Sequence, residues 1–162
     1  MNNFLLYIAL LSFTVTACVS KKISNNPEVQ FSKADHAYIE AFHQGIRFKT
    51  KSRNEEAIAK FEECLKLRQD DDAVYFALSK LELEKGNLAA SANYIEKANT
   101  LDPENIWYIQ ELAYMYYEKG DFSKSAGNFE KLVKIEPRNV EWQYGYSEVL
   151  VKTGETEKAI NA

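Results

Sequence analysis

The sequence predicts an all-α fold, an α-solenoid of antiparallel helix pairs with about three and a half repeats, and three observations predict it. The chain repeats itself with a period of 34 residues, so that Gly86 returns as Gly120 and Gly154, and Pro103 as Pro137. Apolar positions keep the same register: Leu78 returns as Leu112, Ile95 as Phe129, Ala98 as Leu132, Leu101 as Ile135, and Ser91 as Ser125 and then Ala159. Within each unit the apolar residues fall at helical spacing, broken by Lys85-Gly86-Asn87 or Lys119-Gly120-Asp121 and stopped at Asp102-Pro103 or Glu136-Pro137. Each unit is therefore two helices joined by a sharp turn. Glycine at the turn accepts a positive φ, and proline after the second helix prevents its continuation.

The order of small, aromatic and proline positions resembles the tetratricopeptide repeat (TPR), with Leu112-Ala113, Tyr116, Gly120, Phe122, Ala126, Phe129 and Pro137 matching its pattern. The resemblance covers about four fifths of the chain and implies a TPR-like superhelix with repeats at about 38–71, 72–105, 106–139 and 140–162, the last incomplete.

Taken from the start, residues 4–15 form an apolar run too short for a bilayer core of roughly 30 Å but of the length of a signal-peptide core. Val15-Thr16-Ala17-Cys18 resembles the lipobox of bacterial lipoproteins, which implies a signal peptide over 1–17 and a lipid on Cys18. Met1-Asn2-Asn3 departs from that pattern, because it places no Lys or Arg before the apolar core. An ordinary cleaved signal or a weak anchor is the alternative reading. Residues 18–31 carry Ser, Asn, Lys and Pro27 without periodicity and read as a flexible tether, with Lys21 and Lys22 within reach of a membrane surface. Surface-displayed lipoproteins of Bacteroidetes type carry an acidic run after the lipidated cysteine. Ser20-Lys21-Lys22 lacks it, so the expected location is an outer-membrane lipoprotein facing the periplasm.

The repeat domain, 32–162, opens with Ser32 and Asp35 in capping spacing before a helix that runs through Ala41, Gly45 and Phe48 to about Thr50. Its partner begins near Glu55 and carries Ala57, Phe61, Cys64 and Leu67 in register with the later repeats. Lys51-Ser52-Arg53-Asn54 lacks the turn glycine and Gln69 replaces the proline, so the first repeat is degenerate, as terminal repeats often are. Cys64 stands where later repeats place Ala98 and Leu132, and reads as a core residue. The fourth repeat passes Gly154 and reaches Ala162, which leaves Tyr146, Val149, Leu150 and Ile160 facing half a partner helix. The chain thus reads as the beginning of a longer array, similar to the long TPR lipoproteins of Bacteroidetes.

Catalytic constellations are missing from the pattern. Gly145-Tyr146-Ser147-Glu148-Val149 begins like a nucleophile elbow but ends in valine inside a helix, so it is read as packing. His36, Glu40 and His43 share one helix face at i, i+4 and i+7, a spacing that also suits a solvated surface. No glycine-rich phosphate loop or paired-cysteine motif occurs, and a net charge of −4 without a basic stripe argues against nucleic acid. No enzyme activity, cofactor, metal or small-molecule substrate is expected.

Function in a TPR array resides on the concave face, formed by the first helix of each repeat. Transferring the family's groove positions by register gives Ile39, Ala73, Trp107 and Glu141; Phe42, Phe76, Gln110 and Tyr144; Ile46, Lys80, Tyr114 and Glu148; and Lys49, Leu83, Tyr117 and Val151. Phe42, Phe76, Lys80, Leu83, Trp107, Gln110, Tyr114, Tyr117 and Tyr144 are the candidate partner-binding residues. Such rings suit either a binding surface or packing against further repeats and along their own helices. TPRs that hold acidic chaperone tails carry Lys, Asn and Arg here. This surface offers aromatics and glutamates around an isolated Lys80, which better suits a partner with apolar anchors and Lys or Arg opposite Glu84, Glu118 and Glu148. The expected function is a lipid-anchored scaffold for protein or peptide partners. The alternatives are a spacer or oligomerisation rod, and an enzyme whose catalytic domain lies beyond Ala162.

Overall fold

A computed structural model describes residues 32–161. The signal peptide (1–17), Cys18 and the whole of the tether (18–31) lie outside the described residues. The described chain is all helix: α1 (Lys33–Thr50), α2 (Asn54–Leu67), α3 (Asp72–Glu84), α4 (Leu88–Leu101), α5 (Ile106–Glu118), α6 (Phe122–Ile135), α7 (Val140–Thr153) and α8 (Thr156–Asn161). Odd-numbered helices open the repeats and even-numbered helices close them, in the register that the 34-residue period predicts.

The repeat is visible in the backbone. Gly86, Gly120 and Gly154 take φ of +79°, +75° and +82°, and the amide after each turns back to Glu82, Tyr116 and Leu150 to close the preceding helix. The first turn is not an exception. Ser52, one period before Gly86, takes φ of +56°, and Arg53 N–H donates to the Phe48 carbonyl in the same way. A serine there bears the steric cost of the left-handed region that glycine avoids. Ser52→Gly is expected to stabilise the chain by about 0.5–1 kcal/mol, strain relief exceeding the entropy added to the unfolded state. Urea denaturation checks this, and a loss of stability would mean that the turn tolerates serine without strain.

Helix starts are periodic too. Asp71, Asn105 and Asn139 each accept a hydrogen bond from a backbone N–H of the first turn of α3, α5 and α7, at 3.0, 3.2 and 3.3 Å. Asn87 and Asp121 do the same for α4 and α6.

The core is one row per register position. Phe61, Ile95 and Phe129 are at most 1% exposed, and Cys64, Ala98 and Leu132 are fully buried beside them. Where the two helices of a repeat cross, the side chains are small: Gly45 with Ala57, Ser79 with Ser91, Ala113 with Ser125. The Ser79 and Ser91 hydroxyls pair at 3.1 Å, and Ser125 donates to the Ala113 carbonyl at 2.7 Å, so burial leaves none of the three hydroxyls without a partner. A Cβ on Gly45 would lie 2.9 Å from the Phe61 ring, and one on Gly145 2.6 Å from the Phe129 ring. Gly145 is therefore a packing residue.

In the fourth repeat α8 is only six residues long, against fourteen for α6. Val149 and Leu150 are nevertheless at most 1% exposed and Tyr146 is half-buried, Val149 and Tyr146 packing in one cluster with Phe129 and Leu132 of α6. Of the four residues only Ile160, at 80%, is exposed.

Candidate partner-binding face

On a helix, residues at i, i+3 and i+7 share a face. That rule groups Trp107, Gln110 and Tyr114 on α5, and Glu141, Tyr144 and Glu148 one period later on α7. Bonds across the odd-numbered helices place these faces side by side. Tyr114 donates to Glu141 Oε1 at 2.7 Å, Tyr117 donates to Glu148 Oε1, and Trp142 Nε1–H donates to Gln110 Oε1 at 3.2 Å. Between α3 and α5, Lys80 Nζ donates to both Glu111 oxygens at 3.1 and 3.0 Å, and Tyr108 donates to Asp72 at 2.8 Å. Between the first two repeats, Tyr38 donates to Asp71. Successive first helices are thus laced by phenol–carboxylate bonds.

Burial pushes the Tyr114 and Tyr116 hydroxyls up to about 12, with the Glu141 and Glu96 carboxylates adding to it. Tyr38 and Tyr108 are raised by burial and then by their aspartates, and Tyr117 mainly by its hydrogen bond to Glu148. Because these pKa values are raised, the bonds contribute fully below the ordinary phenol value of about 10 and are lost as pH climbs beyond it. The lacing is intact at neutral pH.

The nine candidate residues divide into three groups. Phe42 and Phe76 are half-buried: Phe42 lies between Tyr38 and Phe61 at centroid distances of 6.0 and 5.8 Å, and Phe76 lies 5.1 Å from Tyr108. These two serve packing more than the open face, and Leu83 is half-buried with them. Lys80, Gln110, Tyr114 and Tyr117 carry the inter-helix bonds, Tyr114 also standing edge-on to Phe129 at 5.3 Å and Tyr117 edge-on to Phe122 at 5.6 Å. Trp107 and Tyr144 are 62% and 71% exposed, and neither side chain makes a hydrogen bond or ring contact among the described residues. Sequence register groups these residues by helix face; it does not show which of them the fold itself uses. Of the glutamates expected to meet a cationic partner, Glu84 accepts from Asn54 at 3.0 Å and so belongs to the turn region.

Other candidates resolve simply. Cys64 is buried with Sγ 3.9 Å from the Tyr38 carbonyl, and burial pushes its thiol up to about 11, as suits a packing residue. His36, Glu40 and His43 line a depression of about 540 Å³ with Ile39, Gln44 and Arg47, all on α1, and Gln44 donates to Glu40 at 3.1 Å. Among the described residues no group of three or more His, Cys, Asp or Glu side chains is placed to hold a metal ion.

Helix pairs in 34-residue register, with the first helices of successive pairs bonded to one another, define a helical-repeat array of the class that serves as protein-interaction scaffolds. The family model of the tetratricopeptide repeat matches residues 42–106 and 111–162, and the chain belongs to that family. No curated protein matches it in sequence. Among solved structures it is similar to MamA (17% identity, TM-score 0.68, covering 80% of this chain and 71% of that one). It is similar to YrrB, described as a TPR protein with an unusual peptide-binding site (14%, TM-score 0.70, 80% and 71%). It is also similar to the first TPR of Spaghetti (RPAP3) bound to an HSP90 peptide (10%, TM-score 0.64, 74% and 94%). At these identities the likeness is one of fold.

Proposed function

We propose that this chain is a lipid-anchored scaffold that holds protein or peptide partners on the face formed by α1, α3, α5 and α7. Its place is the bacterial cell envelope, on the outer membrane and facing the periplasm, in the manner of the TPR lipoproteins of Bacteroidetes. One observation carries the binding reading: Trp107 and Tyr144 hold large rings in solvent on the inner face while their neighbours are consumed by packing and lacing. Exposed aromatic surface has a desolvation gain available to a partner, and such rings make the strongest anchors at interfaces. The bound peptide in the Spaghetti TPR structure is consistent with that use. A photo-crosslinking residue at position 144 is expected to capture a discrete partner in cells, and one at Lys131, exposed on α6, is expected not to. Equal capture at both positions would overturn the inner-face reading.

The anchor rests on Val15-Thr16-Ala17-Cys18. No described helix is long and apolar enough to cross a membrane. Cys18→Ser is expected to move the protein from the membrane fraction to the soluble fraction, since two lysines contribute only about 1 kcal/mol each to surface binding. Continued sedimentation with membranes in high salt would exclude lipid attachment as the anchor.

A further inference from the structure

The joint face of α5 and α7 has a chemistry beyond apolarity. Its exposed rings, Trp107 and Tyr144, flank two carboxylates, Glu141 and Glu148. Glu141 occupies in its repeat the position that Trp107 occupies one period earlier, and the Tyr114 bond at 2.7 Å ties it directly to the α5 face. Each phenol takes only Oε1 of its glutamate; Oε2 of Glu141 and of Glu148 accepts no hydrogen bond among the described residues. A phenol hydrogen bond orients a carboxylate without neutralising it. No Lys or Arg lies within ion-pair distance of either one: Lys80 is occupied by Glu111 at 3.0 Å, and Lys152, which lines the same cleft as Glu148, forms no ion pair with it. Beyond them a cleft of about 440 Å³ continues along α7 and α8, where Tyr144 and Glu148 meet Val151, Ala159 and Ile160.

Two carboxylates without an ion pair, on a surface of exposed π-faces, make a specific electrostatic demand. The face of an indole or phenol ring attracts a cation, and a carboxylate with a free oxygen offers a charge-assisted acceptor. A guanidinium satisfies both at once, because its plane stacks on a ring while its edge donates to an oxygen; an ammonium is a point charge that satisfies one. We propose that the α5–α7 face seats an arginine side chain of a partner peptide, its guanidinium between Trp107 and Tyr144 and donating to Glu141 and Glu148, with a neighbouring apolar side chain in the cleft beside Val151 and Ile160. This deepens the scaffold reading and rests on it.

The probe is the peptide acetyl-Ala-Leu-Arg-Ala-Leu-Arg-Ala-Leu-amide and a twin with citrulline, neutral and isosteric, at both arginines. Each is titrated into the full chain, and the indole N–H resonances of Trp107 and Trp142 are followed. The arginine peptide is expected to shift the Trp107 signal and bind about tenfold or more tighter than its twin. Glu141→Gln with Glu148→Gln keeps acceptors for both phenols, and is expected to bring the preference within about twofold. Equal affinity of the two peptides, with Trp107 shifting in both, overturns the arginine seat and leaves the scaffold reading standing. An arginine preference that survives the double substitution places the cation elsewhere and also overturns it. A Trp107 shift produced by dilution alone would assign the face to a second copy of the chain. If neither peptide moves Trp107, the arginine seat is overturned, and crosslinking at position 144 decides the scaffold reading separately.

Discussion

Phe129→Ala is expected to cost about 3–5 kcal/mol, the range for emptying an aromatic site in a core. The ring is 1% exposed and joins three helices: it belongs to α6, packs with Ile109 and Ala113 of α5, and meets Trp142 and Val149 of α7. It also fills the space over Gly145, where even a Cβ would come within 2.6 Å of it. A cavity can close only if a neighbour moves in, and the neighbour here has no side chain to offer. In an array each repeat is stabilised by the next, so the damage should concentrate at the α6–α7 junction. Trp142, 5% exposed, reports that junction by fluorescence, while circular dichroism reports the whole array. The expected result is a lowered urea midpoint in which the Trp142 signal is lost before bulk helicity. Coincident transitions at a cost below about 1 kcal/mol would show that the ring is not the joint between these repeats.

Trp107→Ala and Tyr116→Ala are expected to separate binding from folding. Trp107 is 62% exposed, so its removal takes little from the core. If it anchors a partner, the loss is about 2 kcal/mol or more, roughly thirtyfold in affinity, with the thermal midpoint nearly unchanged. Tyr116 is 9% exposed, donates to Glu96 at 2.8 Å and lies under the Lys124 ammonium at 5.0 Å. Its replacement empties a site between α4 and α5, against Ala92 and Ile95 of the preceding repeat, and leaves the Glu96 carboxylate without its donor, a cost of about 3 kcal/mol or more. Tyr114→Ala falls between, because that ring supports both Glu141 and Phe129. Affinity for the captured partner and melting curves of the three variants decide the assignment. A Trp107→Ala protein that melts as low as Tyr116→Ala would place the indole in the core.

The fold was legible because the period is strict. Turn glycines, stop prolines and buried rows recur every 34 residues, and periodicity in backbone signals survives ignorance of three-dimensional contacts. The first turn lacks glycine, and residue identity does not reveal that it keeps the same backbone: Ser52 takes the left-handed conformation, held by the surrounding hydrogen bonds. Asp71, Asn105 and Asn139 carried a cap signal at the same period that composition alone obscures. The candidate site was half legible. Register puts residues on a face, but which of them are occupied depends on side chains 27 to 36 residues away, as Tyr114 with Glu141 and Tyr108 with Asp72 show. No local pattern encodes such pairs.

Those same pairs have a mechanical meaning. Each ties a repeat only to its immediate neighbour, so a force applied along the chain meets a series of separate latches, with no single clamp holding the whole. A repeat of 34 residues drawn fully out releases roughly 110–120 Å of chain. An array built this way yields one unit at a time under tension, lengthening by measured steps while the units still folded keep their grip on whatever they hold.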